Sequence, residues 1–259
     1  MNDIVGDWFD PFPQPKIVEH DGIYVVRDDL FPYGSKARAA DYLIGHAPEN
    51  AEVEEWVYGS SPAHGYAQIS IPYVCKTYQK KCVLFMAERN MNNLHPYQLK
   101  GMDLGAIYSW VPNGMLTVTQ KRARDYVNER PNTRRLLPIG LDCIEAVESL
   151  RLVATALPIR PATVWCVASS GTLSWALQLA WPEADHHMVL AGGHTPADFR
   201  TLNTTVHVSK YKFGQRVKDS DLPPFPSAPE YDAKVWPVLM EYRKNNSMKE
   251  PILFWNVGA

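Results

Sequence analysis

Lys36 is the residue of this chain best placed for amine chemistry. It follows a strand, Ile23 to Val26, and a Pro32-Tyr33-Gly34 turn, and it opens an alanine-rich helical segment from Ala37 to Ile44. Strand-to-helix junctions of this kind commonly face clefts, where burial lowers the pKa of an amine and makes it a nucleophile or a base. The ordinary alternative is a solvated lysine at a helix start.

Three further segments bear on that choice. Tyr58 to Gln68 is a turn rich in small and polar residues, with Ser60, Ser61, His64 and Gln68 as candidate ligands, and it leads into the apolar stretch Ile69 to Cys75. Val164 to Ala168 reads as a buried strand that enters the loop Ser169-Ser170-Gly171-Thr172 and then a helix from Leu173 to Ala180. A hydroxyl- and glycine-bearing loop at a helix N-terminus suits a phosphate, because free N–H groups and the helix dipole favour an anion and small side chains permit close approach. The same residues also serve as simple helix caps in many α/β proteins. The third segment, Pro229 to Lys234, places Tyr231, Asp232 and Lys234 within four residues.

The elements that must position these groups follow an α/β pattern. Strand and helix alternate from Trp56 onward: Glu55 to Tyr58, Gln68 to Tyr78, Lys81 to Ala87, His95 to Leu104, Ile107 to Val111 and Leu116 to Asn128. A further helix, Asp142 to Ala156, precedes the Val164 strand, and strands near His187 to Ala191 and Thr205 to Ser209 follow it. Residues 1 to 22, with Pro11, Pro13 and Pro15, read as a lead-in arm whose Trp8, Phe9 and Phe12 pack on the body or on a second subunit. Leu222 to Pro229 has four prolines in eight residues and is expected to be an extended connector. The expected organisation is an arm and first part of a large lobe over 1–50, a smaller α/β lobe over 51–137, and a large lobe over 138–259.

Composition fits a folded globular protein of one large or two small domains: 259 residues, 46% hydrophobic and 21% charged. No stretch approaches a membrane span and the N-terminus lacks a secretory signal, so a cytoplasmic protein is expected. Cys75, Cys82, Cys143 and Cys166 show no ligand spacing, so buried reduced thiols and no metal are expected. Net charge is -2, but residues 1–60 carry 4 basic and 12 acidic side chains and the remainder 22 and 16. Basic side chains gather at Lys121, Arg122, Arg124, Arg130, Arg134 and Arg135, and at Lys210, Lys212, Arg216 and Lys218. They could track a phosphate backbone, but Asp125 and Glu129 sit within the first group at helical spacing, which favours a solvated helix face.

Taken together, the four segments resemble the pyridoxal-phosphate (PLP) enzymes of fold type II, the tryptophan-synthase-β-like group, and within it the aminocyclopropane-carboxylate (ACC) deaminase and D-cysteine desulfhydrase branch. Gly34-Ser35-Lys36-Ala37-Arg38 matches the branch's Gly-X-Lys-X-Arg run, which implies that Lys36 is the Schiff-base lysine. The Ser60 to Gln68 turn occupies the place of the substrate-carboxylate site, Ser169 to Thr172 that of the phosphate loop, and Tyr231-Asp232-Ala233-Lys234 resembles a Tyr-X-Gly-Lys run that approaches the cofactor ring. The resemblance implies an α/β fold of two three-layer lobes with parallel-rich sheets and the cofactor in the cleft between them, and a homodimer. It also implies that Asp232 keeps the pyridine nitrogen protonated and that Tyr231 acts as an acid/base or stacks near the substrate. Two departures stand out: Pro62-Ala63-His64 replaces the asparagine that usually follows the carboxylate-site serine, and the phosphate loop is lean in glycine.

A nearer likeness is to small phage-encoded proteins of this fold from gene clusters that build hypermodified thymine in DNA. They share the Arg27-Asp28-Asp29-Leu30 start, the Pro223 to Ser227 stretch and the Phe254 to Val257 ending. That likeness implies a PLP-dependent lyase in host cytoplasm that decarboxylates an amino acid, serine or glycine, attached to the 5-methylene of thymine. The weakened carboxylate turn points the same way, since a site that releases CO2 should hold the carboxylate less tightly. The alternatives are a deaminase or desulfhydrase of a small free amino acid, and a non-catalytic scaffold of the same fold.

Overall fold

The structure is a computed structural model that describes residues 4–60, 62–112, 114–192, 196, 200–201 and 203–259. The chain forms two compact units, one made of Met1–Trp8 and Lys36–Ala146, the other of Phe9–Ser35 and Val147–Ala259.

The second unit is built on a six-stranded sheet in the order β1-β2-β10-β7-β8-β9. Its strands are β1 (Lys16–His20), β2 (Ile23–Arg27), β7 (Thr163–Ala168), β8 (Asp185–Leu190), β9 (Thr204–Val208) and β10 (Ile252–Asn256). All neighbours pair in parallel except β1 with β2. The central strands β7 and β10 are buried at every position, as parallel strands covered on both faces must be. Ile23, Val25, Trp165, Val189 and Phe254 form one side of the core and Val235, Trp236 and Leu239 of helix α7 (Val235–Asn245) the other. Two histidines belong to this layer: His187 stacks on Trp165 with ring centroids 4.2 Å apart, and its Nδ1 lies 3.0 Å from Nε2 of His207. Burial, with the neighbouring His207, lowers the His187 pKa to about 4, so the ring packs as a neutral plate at neutral pH.

The first unit holds a four-stranded, all-parallel sheet in the order β5-β4-β3-β6, from β3 (Glu55–Gly59), β4 (Lys81–Ala87), β5 (Ile107–Val111) and β6 (Arg134–Leu136). Helices α2 (Ala67–Thr77), α3 (Pro96–Asp103) and α4 (Leu116–Asn128) supply the crossovers. Helix α4 buries Thr119 and Ala123 against Val57, Val83 and Phe85 and turns Lys121, Arg122 and Arg124 to solvent. Lys121 pairs with Asp125 at 2.6 Å, and Arg134 with Glu55 and Glu129 at 3.0 Å, so this basic group is partly balanced by its own acidic neighbours.

Several elements depart from the expectations above. Lys16–His20 is a strand and not part of an irregular arm. Asp21 and Gly22, with φ of 52° and 75°, form the two-residue turn that folds it antiparallel onto β2. Upstream of it, Trp8 is half-buried with Nε1 donating to Asp41 at 3.0 Å, Phe12 stacks on Phe31, and Phe9 is exposed. The helix after the Pro32 turn begins earlier, as α1 (Gly34–Asp41), and ends in a single π-turn over Tyr42–His46. Strands β6 and β10 and helix α7 were not anticipated; Pro237 lies in the first turn of α7, where its missing N–H is tolerated. Helix α5 (Ile144–Thr155) and helix α6 (Thr172–Ala180) complete the set. Among the described residues, no helix is long and apolar enough to cross a membrane.

Candidate functional site

In the second unit the candidate residues gather at the C-terminal ends of three adjacent parallel strands, β2, β10 and β7, which is where open α/β sheets bind ligands. Beyond β2, the buried Ser35 donates its hydroxyl to the buried Asp28 carboxylate and accepts from Trp255 Nε1 at 3.1 Å. Arg27 forks onto Asp29 at 2.8 and 2.7 Å, and Asn256 Nδ2 donates to Asp29 Oδ1 at 2.8 Å. Asn256 Oδ1 in turn accepts from Ser227 at 2.6 Å. One residue on, the Val257 N–H donates to Asp232 Oδ1 at 3.1 Å. This buried network fixes both the start of α1, where Lys36 is the third residue, and the turn that carries Asp232. Lys36 itself is half-buried.

Asp232 is fully buried in a 3₁₀ turn, Asp232–Lys234, that packs against β7. Burial pushes the thiol of Cys166 on β7 up to about 12, and the Asp232 charge adds to that shift. Tyr231 precedes the turn and is half-buried against the second unit's core. Lys234 is fully buried, and its ammonium donates to the carbonyls of Ala191 at 2.8 Å and Lys212 at 2.9 Å. Desolvation lowers its pKa to about 8.

At the end of β7, Ser169 is exposed, Ser170 half-buried, and Gly171 and Thr172 buried. Gly171 caps α6 with φ of +82°, a left-handed conformation that disfavours a side chain, and a Cβ there would lie 2.8 Å from Pro196. The hydroxyls of Ser170 and Thr172 stand 2.9 Å apart. The loop holds hydroxyl donors, a tight glycine turn, a helix N-terminus and no carboxylate, a donor set that fits a phosphate.

In the first unit, β3 ends at Gly59, and Ser60 opens the turn into α2, its own N–H tied to the Phe85 carbonyl at 3.0 Å. Ser61 lies outside the described residues. The buried Gln68 amide is used on the turn itself: Nε2 donates to the carbonyls of Pro62 at 3.0 Å, Ala63 at 2.8 Å and Gly65 at 3.2 Å. These peptides are trans, so drawing three carbonyls inward directs the N–H groups of Ala63, His64 and Tyr66 the other way. Outward N–H groups in the turn that leads into an eleven-residue helix are a donor set that fits a carboxylate. His64 is half-buried in this turn.

The structure thus brings Ser169, Ser170, Gly171, Thr172, Tyr231 and Asp232 to one end of the second unit's sheet, and Ser60, His64 and Gln68 to one turn of the first unit. Sequence reasoning missed Trp255, Asn256 and Asp28 as the supports of this arrangement, and Arg200, whose Nη1 donates to the Ser170 carbonyl. The local signals for the first group were the Arg27-Asp28-Asp29-Leu30 start, which holds Asp28, and the Phe254 to Val257 ending, whose polar Asn256 follows four apolar residues.

No family model matches the chain, and no curated protein matches it by sequence. Solved structures do match. An ACC deaminase homologue superposes with a TM-score of 0.79 at 15% identity, over 91% of this chain and 84% of that one. Threonine deaminase isoform 2 from Solanum lycopersicum, in its processed form, gives 0.70 at 12% identity, over 95% and 79%. Apo diaminopropionate ammonia lyase from Escherichia coli gives 0.68 at 11% identity, over 98% and 86%. At these identities the likeness establishes the fold: this chain has the mixed α/β, parallel-rich architecture of the fold type II PLP enzymes.

Proposed function

We propose that this chain is a PLP-dependent lyase that eliminates ammonia, or ammonia together with a β-substituent, from a small free amino acid. The observation that carries this reading is the donor set at the adjacent ends of β7 and β10: a phosphate-type loop and, packed on the same strand, the fully buried carboxylate of Asp232. That combination suits a ligand with a phosphate at one end and a basic ring nitrogen at the other. When bound, PLP supplies an electron sink for the bonds at the substrate Cα.

Each residue then has a task. Lys36 holds the cofactor covalently and moves the proton at Cα. Ser169, Ser170, Gly171 and Thr172 hold the phosphate, and Asp232 holds a proton on the pyridine nitrogen. The outward N–H groups of the turn shaped by Gln68, with Ser60 and His64 of the same turn, hold the substrate carboxylate. Tyr231 serves as a proton donor or acceptor next to Asp232. The fold neighbours that carry the names deaminase and ammonia lyase support this reading over one in which the carboxylate is lost.

The test is to supply the PLP-loaded protein with D-cysteine, ACC, threonine and diaminopropionate and to measure ammonia, oxo acid and sulfide. Release from at least one, abolished by Lys36→Ala, is the expected result. Silence on all four would remove the reading.

A second reading is favoured by one surface feature, the 212–218 loop, where Lys212, Arg216 and Lys218 flank Phe213, which is 52% exposed. A basic loop with an exposed ring suits nucleic acid. On that reading the substrate is a serine- or glycine-modified thymine in phage DNA and the product is the decarboxylated amine. It predicts salt-sensitive binding of duplex and CO2 release from modified DNA, with no release from free amino acids.

A further inference from the structure

We propose that Arg200 is a positioning residue that builds the anion cradle of the Ser169–Thr172 loop and makes it selective for a phosphate monoester. The inference rests on the reading above only for the identity of the molecule that carries the phosphate.

Arg200 is 7% exposed, and its guanidinium donates from Nη1 to the Ser170 carbonyl. The Ser170–Gly171 peptide is trans, so holding that carbonyl toward the guanidinium turns the Gly171 N–H away from it. A charge-assisted bond on the carbonyl also polarises the peptide and strengthens its N–H as a donor. The arginine is fitted to this spot from several sides. Its own carbonyl accepts from Gln178 Nε2 at 2.8 Å, and the same amide donates to Ser174 one turn back on α6 at 3.2 Å. Its guanidinium lies 5.5 Å from the centre of the Trp175 ring. A Cβ on Gly171 would lie 3.1 Å from Arg200 Cδ, so the missing side chain at 171 and the arginine stem are complementary.

The sequence gives a reason for the device. A cradle rich in glycine can orient its peptides freely, but Gly171 is the only glycine between Ser169 and Thr172. The orientation of the peptide before it must therefore be imposed from outside the loop, and a buried cation one peptide away also favours a dianion over an uncharged group.

The experiment uses the full-length apo-protein and three probes: PLP, pyridoxal, which lacks the phosphate, and inorganic phosphate. Arg200→Met keeps the stem and removes the donors; Arg200→Leu, which also lacks any donor, is read in the same way should the first not fold. Affinity for PLP and for phosphate should fall about tenfold or more, consistent with loss of a charge-assisted hydrogen bond. Affinity for pyridoxal should stay within about twofold of wild type. Arg200→Lys, which retains charge and a donor, should recover part of the loss. Equal losses for PLP and pyridoxal, or unchanged phosphate affinity, would overturn the inference. Arg200-dependent phosphate binding in a protein that ignores PLP would uphold the role of Arg200 and reject the cofactor reading.

Discussion

Trp255 donates its indole N–H to Ser35 Oγ at 3.1 Å, and Ser35 immediately precedes Lys36. Both residues are buried, and Ser35 donates its own hydroxyl hydrogen bond to Asp28. The central strand β10 thereby holds the first turn of the helix that presents the lysine. Trp255→Phe keeps most of the packing and removes that one donor. It should lower stability by about 1–2 kcal/mol, the usual worth of a buried hydrogen bond, read as a fall in the urea midpoint. An unchanged midpoint would show that the indole N–H does not anchor Ser35.

Gln68 shapes its turn through three carbonyls, so its effect should appear on substrate binding. Gln68→Leu fills similar space and releases the three peptides. KM for an amino-acid substrate should rise about tenfold while PLP affinity is retained, because loss of uniform binding raises KM without lowering kcat. A variant with wild-type KM would remove the turn from carboxylate recognition.

Asp232→Asn conserves the acceptor for the Val257 N–H and removes the charge. The variant should fold and bind PLP, with turnover slowed about 10²-fold by loss of the charge proposed to hold a proton on the pyridine nitrogen. Wild-type turnover would take Asp232 out of the chemistry.

Lys234 supplies a pH signature. Desolvation depresses its folded pKa to about 8 from 10.5, so between those values the unfolded chain binds the extra proton. The contribution of this group to stability is therefore full above the unfolded value and is lost as pH falls toward about 8. In Lys234→Met this component disappears. The difference in unfolding free energy between wild type and variant should shift in favour of wild type from pH 7.5 to about 10.5, measured by urea titration at each pH. A difference independent of pH would mean that Lys234 titrates normally.

Much of the fold was legible because its signals are local. Lys81–Ala87 and Ile107–Val111 are apolar runs bounded by turn residues, and Leu116–Asn128 carries a clear helical period, so all three were read with the bounds observed. Strand β1 was obscured by the prolines before it and by mostly solvent-facing residues, although Asp21-Gly22 is a strong hairpin signal. Strand β10 was read as a motif and not as an element, yet its five buried residues form the centre of the second unit's sheet. The segments that carry Lys36, the phosphate loop and Asp232 were visible as short motifs. What supports them was not, because Trp255 meets Ser35 across 220 residues and Arg200 meets Ser170 across 30. No local pattern encodes a contact at such a separation.

The central claim is that Lys36 carries the cofactor. The most direct measurement is to add PLP to the purified protein, record the absorbance spectrum, reduce with borohydride and map the modified peptide by mass. The account predicts an absorbance band at the edge of the visible, its loss on reduction, and the cofactor's mass on Lys36 alone. No band, or a label on another lysine, would contradict it.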